Sequence, residues 1–231
     1  MIPPVDFPPD GVDEPAVLDC GFGKGAWIDD LLSEYEDAVV TGVDTFLGRG
    51  SEQDDEDDDA DNEDDDDDDV DEVQEFERKQ WNLNAPFRDD RSETRLQPGS
   101  FHLINSRFLV AGINGDRWPT YIADLKRLLK PGGWLQMVEQ YALVRSENGQ
   151  AVPYLQRWWQ MFSAALAQMN KNAHVGRSLR THMNNQGFES VHERAERLPI
   201  GNWDASQCLE TQQSCCSHSI HDQGITLLIT P

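Results

Sequence analysis

The sequence predicts an α/β fold in which a mostly parallel sheet carries helices on both faces. Short apolar runs alternate with amphipathic segments of helical period along most of the chain, and this alternation is typical of parallel sheets. Glycines join the first apolar run directly to the first amphipathic segment. A chain of 231 residues with 38% hydrophobic residues can bury one core of ordinary size, so we expect one principal domain.

The first half of this pattern follows an irregular lead-in, residues 1–15, that is rich in Pro, Asp and Gly. Residues 16–20 form a short apolar run that predicts the first strand. After the glycines, residues 26–35 place apolar side chains at helical spacing. A second apolar run at 38–43 ends at Asp44 and predicts the second strand.

The second half continues the alternation with longer segments. Strands are predicted at 75–81, 101–110, 134–144 and 188–194. Helices are predicted at 118–129 and 154–170. The run Lys130-Pro131-Gly132-Gly133 is expected to stop the earlier helix, because glycine and proline there are typical of a helix end.

The strong negative charge of the chain comes from one segment. The formal charge is −24, yet residues 52–72 hold 17 of the 43 acidic residues and no Lys or Arg. Such a run repels itself and buries no apolar surface, so we interpret residues 48–73 as a disordered insertion. The run is a candidate surface for a basic protein partner, and the absence of an evident Lys and Arg patch argues against direct binding to nucleic acid.

The expected cellular compartment of the protein follows from sequence features that are missing. No basic stretch followed by an apolar one opens the chain, and nowhere do 18 apolar residues run together, so we expect neither secretion nor membrane insertion. Cys20, Cys208, Cys215 and Cys216 do not form the framework of a small secreted protein. A reducing compartment, the cytoplasm or the nucleus, is therefore expected.

The motif that carries chemistry is VLDCGFGKGAW at residues 17–27, in which Asp19 precedes Gly21, Gly23 and Gly25. Glycines between a strand and a helix let backbone approach a ligand closely, and the helix N-terminus offers N–H groups. Dinucleotide sites use the spacing Gly-x-Gly-x-x-Gly instead. The spacing and the acid therefore favour an adenosylmethionine site over NAD, and the alternative is a purely structural corner.

Two further acids lie near the ends of predicted strands. Asp44 follows Gly25 by 19 residues, and at this edge of an α/β sheet a carboxylate can accept hydrogen bonds from ribose hydroxyls. Glu139 lies near the end of the strand after LKPGGW and is our candidate for a catalytic or substrate-orienting group. The alternative for both acids is simple support of a strand end.

Three blocks of the sequence resemble a known family. WNLNAPF at 81–87, GSFHLINSRFL at 99–109 and WPTYIADLKRLLKPGGWLQMVEQ at 118–140 resemble class I methyltransferases of fungi, in particular the LaeA-like group linked to secondary metabolism. Matching blocks cover residues 16 to about 203, apart from the acidic insertion. The resemblance implies a Rossmann-like sheet, S-adenosylmethionine as cofactor, and a small molecule or a protein as methyl acceptor.

The resemblance also implies roles for individual residues at the two ends of the cofactor. Asp19 and the three glycines of the motif would surround the methionine part, with Ser106 and Arg107 nearby at the end of the fourth strand. The alternative for Ser106 and Arg107 is that they are only polar residues at a strand end. Asp44 would bind the ribose hydroxyls. The amide oxygen of Asn82 would accept a hydrogen bond from the adenine amino group, where relatives commonly carry Asp, and Leu83 would pack on the adenine ring.

The chain also departs from the family. Phe22 is expected to crowd the glycine turn. Residues 204–231 no longer resemble the family, so we expect a domain at 16–203, a divergent tail, and a truncated or aberrant C-terminus. GITLLITP is the only part of the tail with strand character, so the C-terminal strands should be incomplete, with at most one strand, 224–230, after Arg194.

Two functions stay open at this point. The first is a methyltransferase dependent on S-adenosylmethionine. The second is a catalytically inactive, methyltransferase-like binding or regulatory protein that uses the acidic run for basic partners. The cysteines and histidines of the tail fit no zinc spacing, so no metal is expected.

Deletion of residues 52–72 should leave the thermal midpoint and the cofactor affinity nearly unchanged, because the run contributes no apolar burial and a shorter loop closes more easily. Thermal denaturation and a cofactor titration of the deletion variant and the full chain test this. A large loss of either quantity would show that the run is packed against the domain.

Overall fold

The computed structural model describes residues 7–47, 76–87, 96–140 and 151–195 together with the backbone of 224–230. The predicted insertion at 48–73 and the cysteines and histidines of the tail lie outside these residues. Residues 7–15 contain no helix or strand. None of the helices that the structure describes is both long and apolar enough to cross a bilayer.

Seven strands and four α-helices make up the described fold. The strands are β1 (Ala16–Cys20), β2 (Val39–Asp44), β3 (Glu77–Gln80), β4 (Phe101–Arg107), β5 (Leu129–Gln140), β6 (Glu189–Ala195) and β7 (Gly224–Thr230). The helices are α1 (Ala26–Glu34), α2 (Trp118–Leu128), α3 (Pro153–Gln168) and α4 (Leu179–Asn185), with a 3-10 turn at Val175–Arg177 before α4.

The strands form one sheet in the order β3-β2-β1-β4-β5-β7-β6. The first five strands pair in parallel, and β7 runs antiparallel to both β5 and β6. The chain moves outward from β1 to β3 and then returns to place β4 on the other side of β1. A mostly parallel Rossmann-like sheet is therefore confirmed, and its switch point lies between β1 and β4.

Apolar residues cover both faces of the sheet, since neighbouring strand residues point to opposite faces. Val17 and Leu103 pack with the apolar face of α1 in one buried cluster. Leu18 and Ile104, one residue further along each strand, pack with α2 and α4 in the other. The central strands β1 and β4 are thus buried on both sides.

The connection from α2 to β5 differs from the sequence prediction. The helix ends at Leu128, and Leu129 already pairs with Phe101 at the start of β5. The register then shifts before Leu103 pairs with Trp134, so the Lys130-to-Gly133 run forms an irregularity inside the strand. A Cβ on Gly133 would lie 3.1 Å from the carbonyl oxygens of Phe101 and His102, which explains why glycine suits this approach.

The prediction of an incomplete sheet is wrong, because the sheet has seven strands and its C-terminal edge is formed by β7 and β6. The strand predicted at 224–230 is confirmed as β7, and it is the only strand after Arg194 that the described residues show apart from the end of β6. It inserts between β5 and β6, pairing from Leu135 to Gln140 on one side and from Glu189 to Ala195 on the other. The sequence predicted these two strands separately, at 188–194 and 224–230, but did not predict that they pair with each other across a long connection.

Candidate functional site

A cavity of about 440 Å³ opens at the carboxyl edge of the sheet, at the switch point between β1 and β4. Its volume lies within the range of roughly 300–1,000 Å³ that small-molecule sites occupy. The walls come from the glycine turn after β1, the ends of β2 and β4, and the loops after β3 and β4. It is lined by Asp19, Gly21, Phe22, Lys24, Ala26, Trp27, Asp44, Thr45, Asn82, Leu83, Asn84, Asn105, Arg107, Phe108, Leu109 and Gly112.

The glycine turn uses a backbone conformation that other residues rarely adopt. Gly21, Gly23 and Gly25 have φ of 75°, 58° and 95°, all in the left-handed region. A Cβ on Gly21 would overlap the side chain of Leu109. The turn therefore passes close beneath the loop after β4, and α1 begins at Ala26 with its N-terminus at the cavity.

Phe22 does not crowd the turn, contrary to the expectation from sequence. Its ring is buried and meets Phe76 edge to face, with centroids 5.4 Å apart. Both rings lie over Gly42 in β2, where a Cβ would come within 2.7 Å of Phe22 and 2.8 Å of Phe76. The missing side chain at Gly42 gives the ring its space.

Asp19 lies at the floor of the cavity at the end of β1. The side-chain amide of Asn105 donates to its Oδ1 at 2.8 Å. Burial raises the pKa of the Asp19 carboxyl to about 7, although Asn105 and the charge of Arg107 oppose the rise. Asn105 Oδ1 is buried and has no hydrogen-bond partner among the described residues. The floor therefore presents acceptor oxygens that suit a cationic group.

Asp44 ties the end of β2 to the glycine turn. Its Oδ2 accepts a hydrogen bond from the Gly23 backbone N–H at 3.0 Å. Its Oδ1 accepts from the Thr45 hydroxyl at 3.3 Å and from the Phe46 N–H at 3.2 Å. These bonds fix the carboxylate in a wall of the cavity and use only some of its acceptor positions.

The loop after β3 forms a further wall, with Asn82 and Leu83 both lining the cavity. Asn82 Oδ1 accepts the backbone N–H of Asn84 at 3.0 Å, which holds the amide group in place. Arg117 donates to the carbonyl oxygen of Leu83 at 3.3 Å.

Arg117 is a positioning residue that the sequence argument missed. Besides Leu83 it binds the carbonyl oxygen of Ala85 at 3.1 Å. Its guanidinium also forms an ion pair with Asp124 at 2.6 Å, and both side chains are nearly buried. The only sequence signal is an acid seven residues after the arginine, on the helix that Trp118 begins, and that spacing does not reveal a bond to a loop more than 30 residues away.

The cavity lining includes five of the eight cofactor residues that we predicted, and three lie elsewhere. Gly23 and Gly25 shape the turn without lining the cavity. Ser106 is fully buried and its hydroxyl lies 3.1 Å from the Tyr121 hydroxyl, on the α2 side of the sheet. The next residue of β4, Arg107, lines the cavity instead, since successive strand side chains point to opposite faces.

Glu139 lies behind the wall of the cavity and does not line it. Its two carboxylate oxygens accept the backbone N–H groups of Leu109 at 2.7 Å and Val110 at 3.1 Å. Burial raises the pKa of this carboxyl to about 8, and the backbone hydrogen bonds oppose the rise. The Glu139 side chain thus binds the backbone of the loop after β4 and does not line the cavity, so the structure does not place it as the catalytic or substrate-orienting group that we predicted.

A metal site is not formed by the residues that the structure describes. No three His, Cys, Asp or Glu side chains among them lie close enough together to hold an ion. Cys20 is buried, and burial raises the pKa of its thiol well above the ordinary range. The cavity lining combines glycine backbone, acids and amides with the cations Lys24 and Arg107 and with apolar side chains.

Comparison with known proteins places the chain in a family. Residues 5–193 match the family described as "Methyltransferase domain". The chain is 27% identical over 229 residues to the secondary metabolism regulator laeA of Aspergillus niger, covering 97% of this chain and 52% of that protein. It is 28% identical over 121 residues to the N-methyltransferase tcpN of Claviceps purpurea, covering 48% of this chain and 43% of that protein. The chain spans about half the length of these relatives.

Solved structures of distant sequence share the fold. A SAM-dependent methyltransferase of Methanosarcina mazei superposes with a TM-score of 0.56 at 15% identity, covering 95% of this chain and 93% of that one. A SAM-dependent methyltransferase of Archaeoglobus fulgidus gives 0.54 at 11% identity, covering 94% and 86%. At these identities the likeness supports the Rossmann-like fold of class I methyltransferases.

Substituting alanine at Gly42 should lower the free energy of unfolding by about 1–3 kcal/mol, because the new methyl group overlaps two packed rings. Gly115→Ala is the matched control, since a Cβ there meets its nearest atom at an ordinary 3.5 Å. Urea unfolding of both variants measures the difference. Equal stability of the two variants would contradict the packing of Phe22 and Phe76 over Gly42.

Proposed function

The chain belongs to the methyltransferase domain family, and on that premise we propose that it transfers a methyl group from S-adenosylmethionine bound in the cavity at the switch point. The observation that carries the proposal is the joint placement of Asp19, the glycine turn and Asp44 around one cavity. The alternative, an inactive protein that acts through the acidic run, is not favoured, because the family match and the cavity both support the transferase.

The polar groups of the cavity fit the parts of this cofactor in order. Asp19 and the Asn105 carbonyl oxygen offer buried acceptors to the cationic methionine end. Asp44 lines the cavity at the end of the neighbouring strand, where its carboxylate would accept hydrogen bonds from the ribose hydroxyls. Leu83 offers an apolar surface and Asn82 a polar edge, which together suit adenine.

Methyl transfer from a sulfonium requires orientation more than it requires proton transfer. S-adenosylmethionine supplies an activated methyl group whose departure leaves a neutral thioether. The residues of this chain hold the cofactor, exclude water from the floor and present the methyl in line with an acceptor. We therefore assign cofactor-binding roles and no general base.

We propose a small molecule or a protein as the acceptor. The fungal relatives are a secondary metabolism regulator and an N-methyltransferase by name, and a role connected with fungal secondary metabolism is part of the proposal. A cytoplasmic or nuclear location and a basic protein partner for residues 52–72 are proposed on the same footing, from the composition of the sequence.

Calorimetric titration of S-adenosylmethionine into the wild-type chain and Asp44→Ala tests the proposal. A lost hydrogen bond to a charged group costs about 1.5–3 kcal/mol, so we expect affinity to fall roughly 10- to 100-fold. Asp30→Ala, which removes an exposed acid of α1, should bind as the wild type does. If the wild-type chain does not bind S-adenosylmethionine, the proposed function is wrong. If the wild type, Asp44→Ala and Asp30→Ala bind with equal affinity, Asp44 does not contact the cofactor.

Affinity for S-adenosylmethionine should rise with pH around neutrality. Asp19 has a pKa of about 7, so protonated and ionised forms coexist there, and only the ionised form attracts a cation. Binding must therefore release a proton below pH 7, and affinity should increase about tenfold from pH 6 to pH 8 before levelling. Asp19→Asn should abolish that slope, and any slope it retains belongs to another group. A pH-independent affinity in the wild type would contradict the role of Asp19.

A further inference from the structure

The turn after β4 holds a bulky residue in a costly backbone conformation. Phe108 has φ of 54°, in the left-handed region that glycine or asparagine usually occupies. The side chain is 48% exposed and lines the cavity. Its neighbour Arg107 lines the cavity as well, with the guanidinium carbon 5.4 Å from the Phe108 ring centre. Some other part of the protein must stabilise this turn.

Two consecutive residues of β5 supply that stabilisation. Phe108 donates its backbone N–H to the carbonyl oxygen of Val138 at 2.8 Å. The next two N–H groups, of Leu109 and Val110, donate to the two oxygens of Glu139 at 2.7 and 3.1 Å. Three successive backbone donors are therefore bound by one short stretch of the neighbouring strand.

The turn at Phe108 also determines the position of the cavity wall next to the glycine turn. The side chain of Leu109 occupies the space where a Cβ on Gly21 would stand. Gly21 belongs to the glycine turn, and its own N–H donates to the Val43 carbonyl oxygen at 2.7 Å. A shift of the Leu109 backbone would therefore move a wall that touches the glycine turn directly.

We propose that Glu139 is a positioning residue of the cofactor site: its carboxylate holds the left-handed turn at Phe108 and thereby seats Leu109 against Gly21. This inference rests on the proposed function and assigns the buried acid a part in it. Glu139 acts through backbone, because both of its oxygens are occupied by N–H groups and the side chain does not line the cavity. General-base catalysis would require the carboxylate to reach a substrate in the cavity, which its side chain does not line.

The first experiment measures the affinity of S-adenosylhomocysteine for the wild type and Glu139→Gln by calorimetry at a pH above 8, where the wild-type carboxyl is ionised and both of its oxygens are acceptors. Glutamine keeps the size but turns an NH₂ group toward one of the two backbone donors, so one hydrogen bond is lost and affinity should fall about tenfold. Leu135→Ala is the control for lost stability, since it trims a buried side chain on the same strand and leaves both Val138 and the Glu139 carboxylate in place. It should lower the thermal midpoint and retain the wild-type affinity.

A double-mutant cycle with Phe108→Gly distinguishes a role of Glu139 in positioning the Phe108 turn from a general contribution of Glu139 to stability. Glycine adopts a φ of 54° without steric cost, so the turn then depends less on the carboxylate. We therefore expect Glu139→Gln to lower the affinity by a smaller factor in the Phe108→Gly background than in the wild-type background. The two factors should differ at least about threefold. Equal losses in the two backgrounds, or an affinity loss in Leu135→Ala as large as that in Glu139→Gln, would overturn the inference.

Failure of the inference is distinguishable from failure of the proposed function. A wild-type chain that does not bind S-adenosylhomocysteine removes the proposed function, whereas a wild type that binds and a Glu139→Gln variant of equal affinity remove only the inference. If Glu139→Gln does not fold, amide exchange of the wild type replaces it. Saturating S-adenosylhomocysteine should slow exchange at Leu109 and Val110, and unchanged exchange there would overturn the inference.

Discussion

The carboxyl edge of the sheet depends on close approach of backbone segments where glycine leaves out a side chain. Gly21 lets the turn after β1 pass beneath Leu109, and Gly42 gives Phe22 and Phe76 room over β2. Only when these segments lie this close do Asp19, Asn105 and Asp44 surround one cavity. Backbone approach therefore comes first, and the polar groups of the site are placed by it.

Side chains from distant parts of the chain then fix the loops that glycine allows to approach. Asp44 binds the Gly23 N–H, Arg117 binds carbonyl oxygens of the loop after β3, and Glu139 binds N–H groups of the loop after β4. Each of these residues satisfies backbone groups that a loop would otherwise leave without partners. The hydrogen bonds that satisfy these loops therefore also hold the cavity walls in position, which favours precise placement of a reacting group.

Much of the fold and part of the site follow from the sequence, because both depend on local patterns. Apolar runs ending at Cys20 and Asp44 predict strands, and parallel strands bring their carboxyl ends to one edge. The paired edge of β6 and β7 was not predicted, because residues 189–195 are mostly exposed and polar and their pairing partner lies across a long connection. The role of Glu139 depends on hydrogen bonds to a loop 29 and 30 residues earlier, which no spacing in the sequence expresses.

The crystal structure of the full chain with S-adenosylhomocysteine tests the central claim most directly. The account predicts that the ligand occupies the cavity between β1 and β4, with its ribose hydroxyls at hydrogen-bonding distance from Asp44 and its amino group against Asp19. A ligand bound elsewhere on the protein, or one in the cavity with its ribose turned away from Asp44, would contradict it.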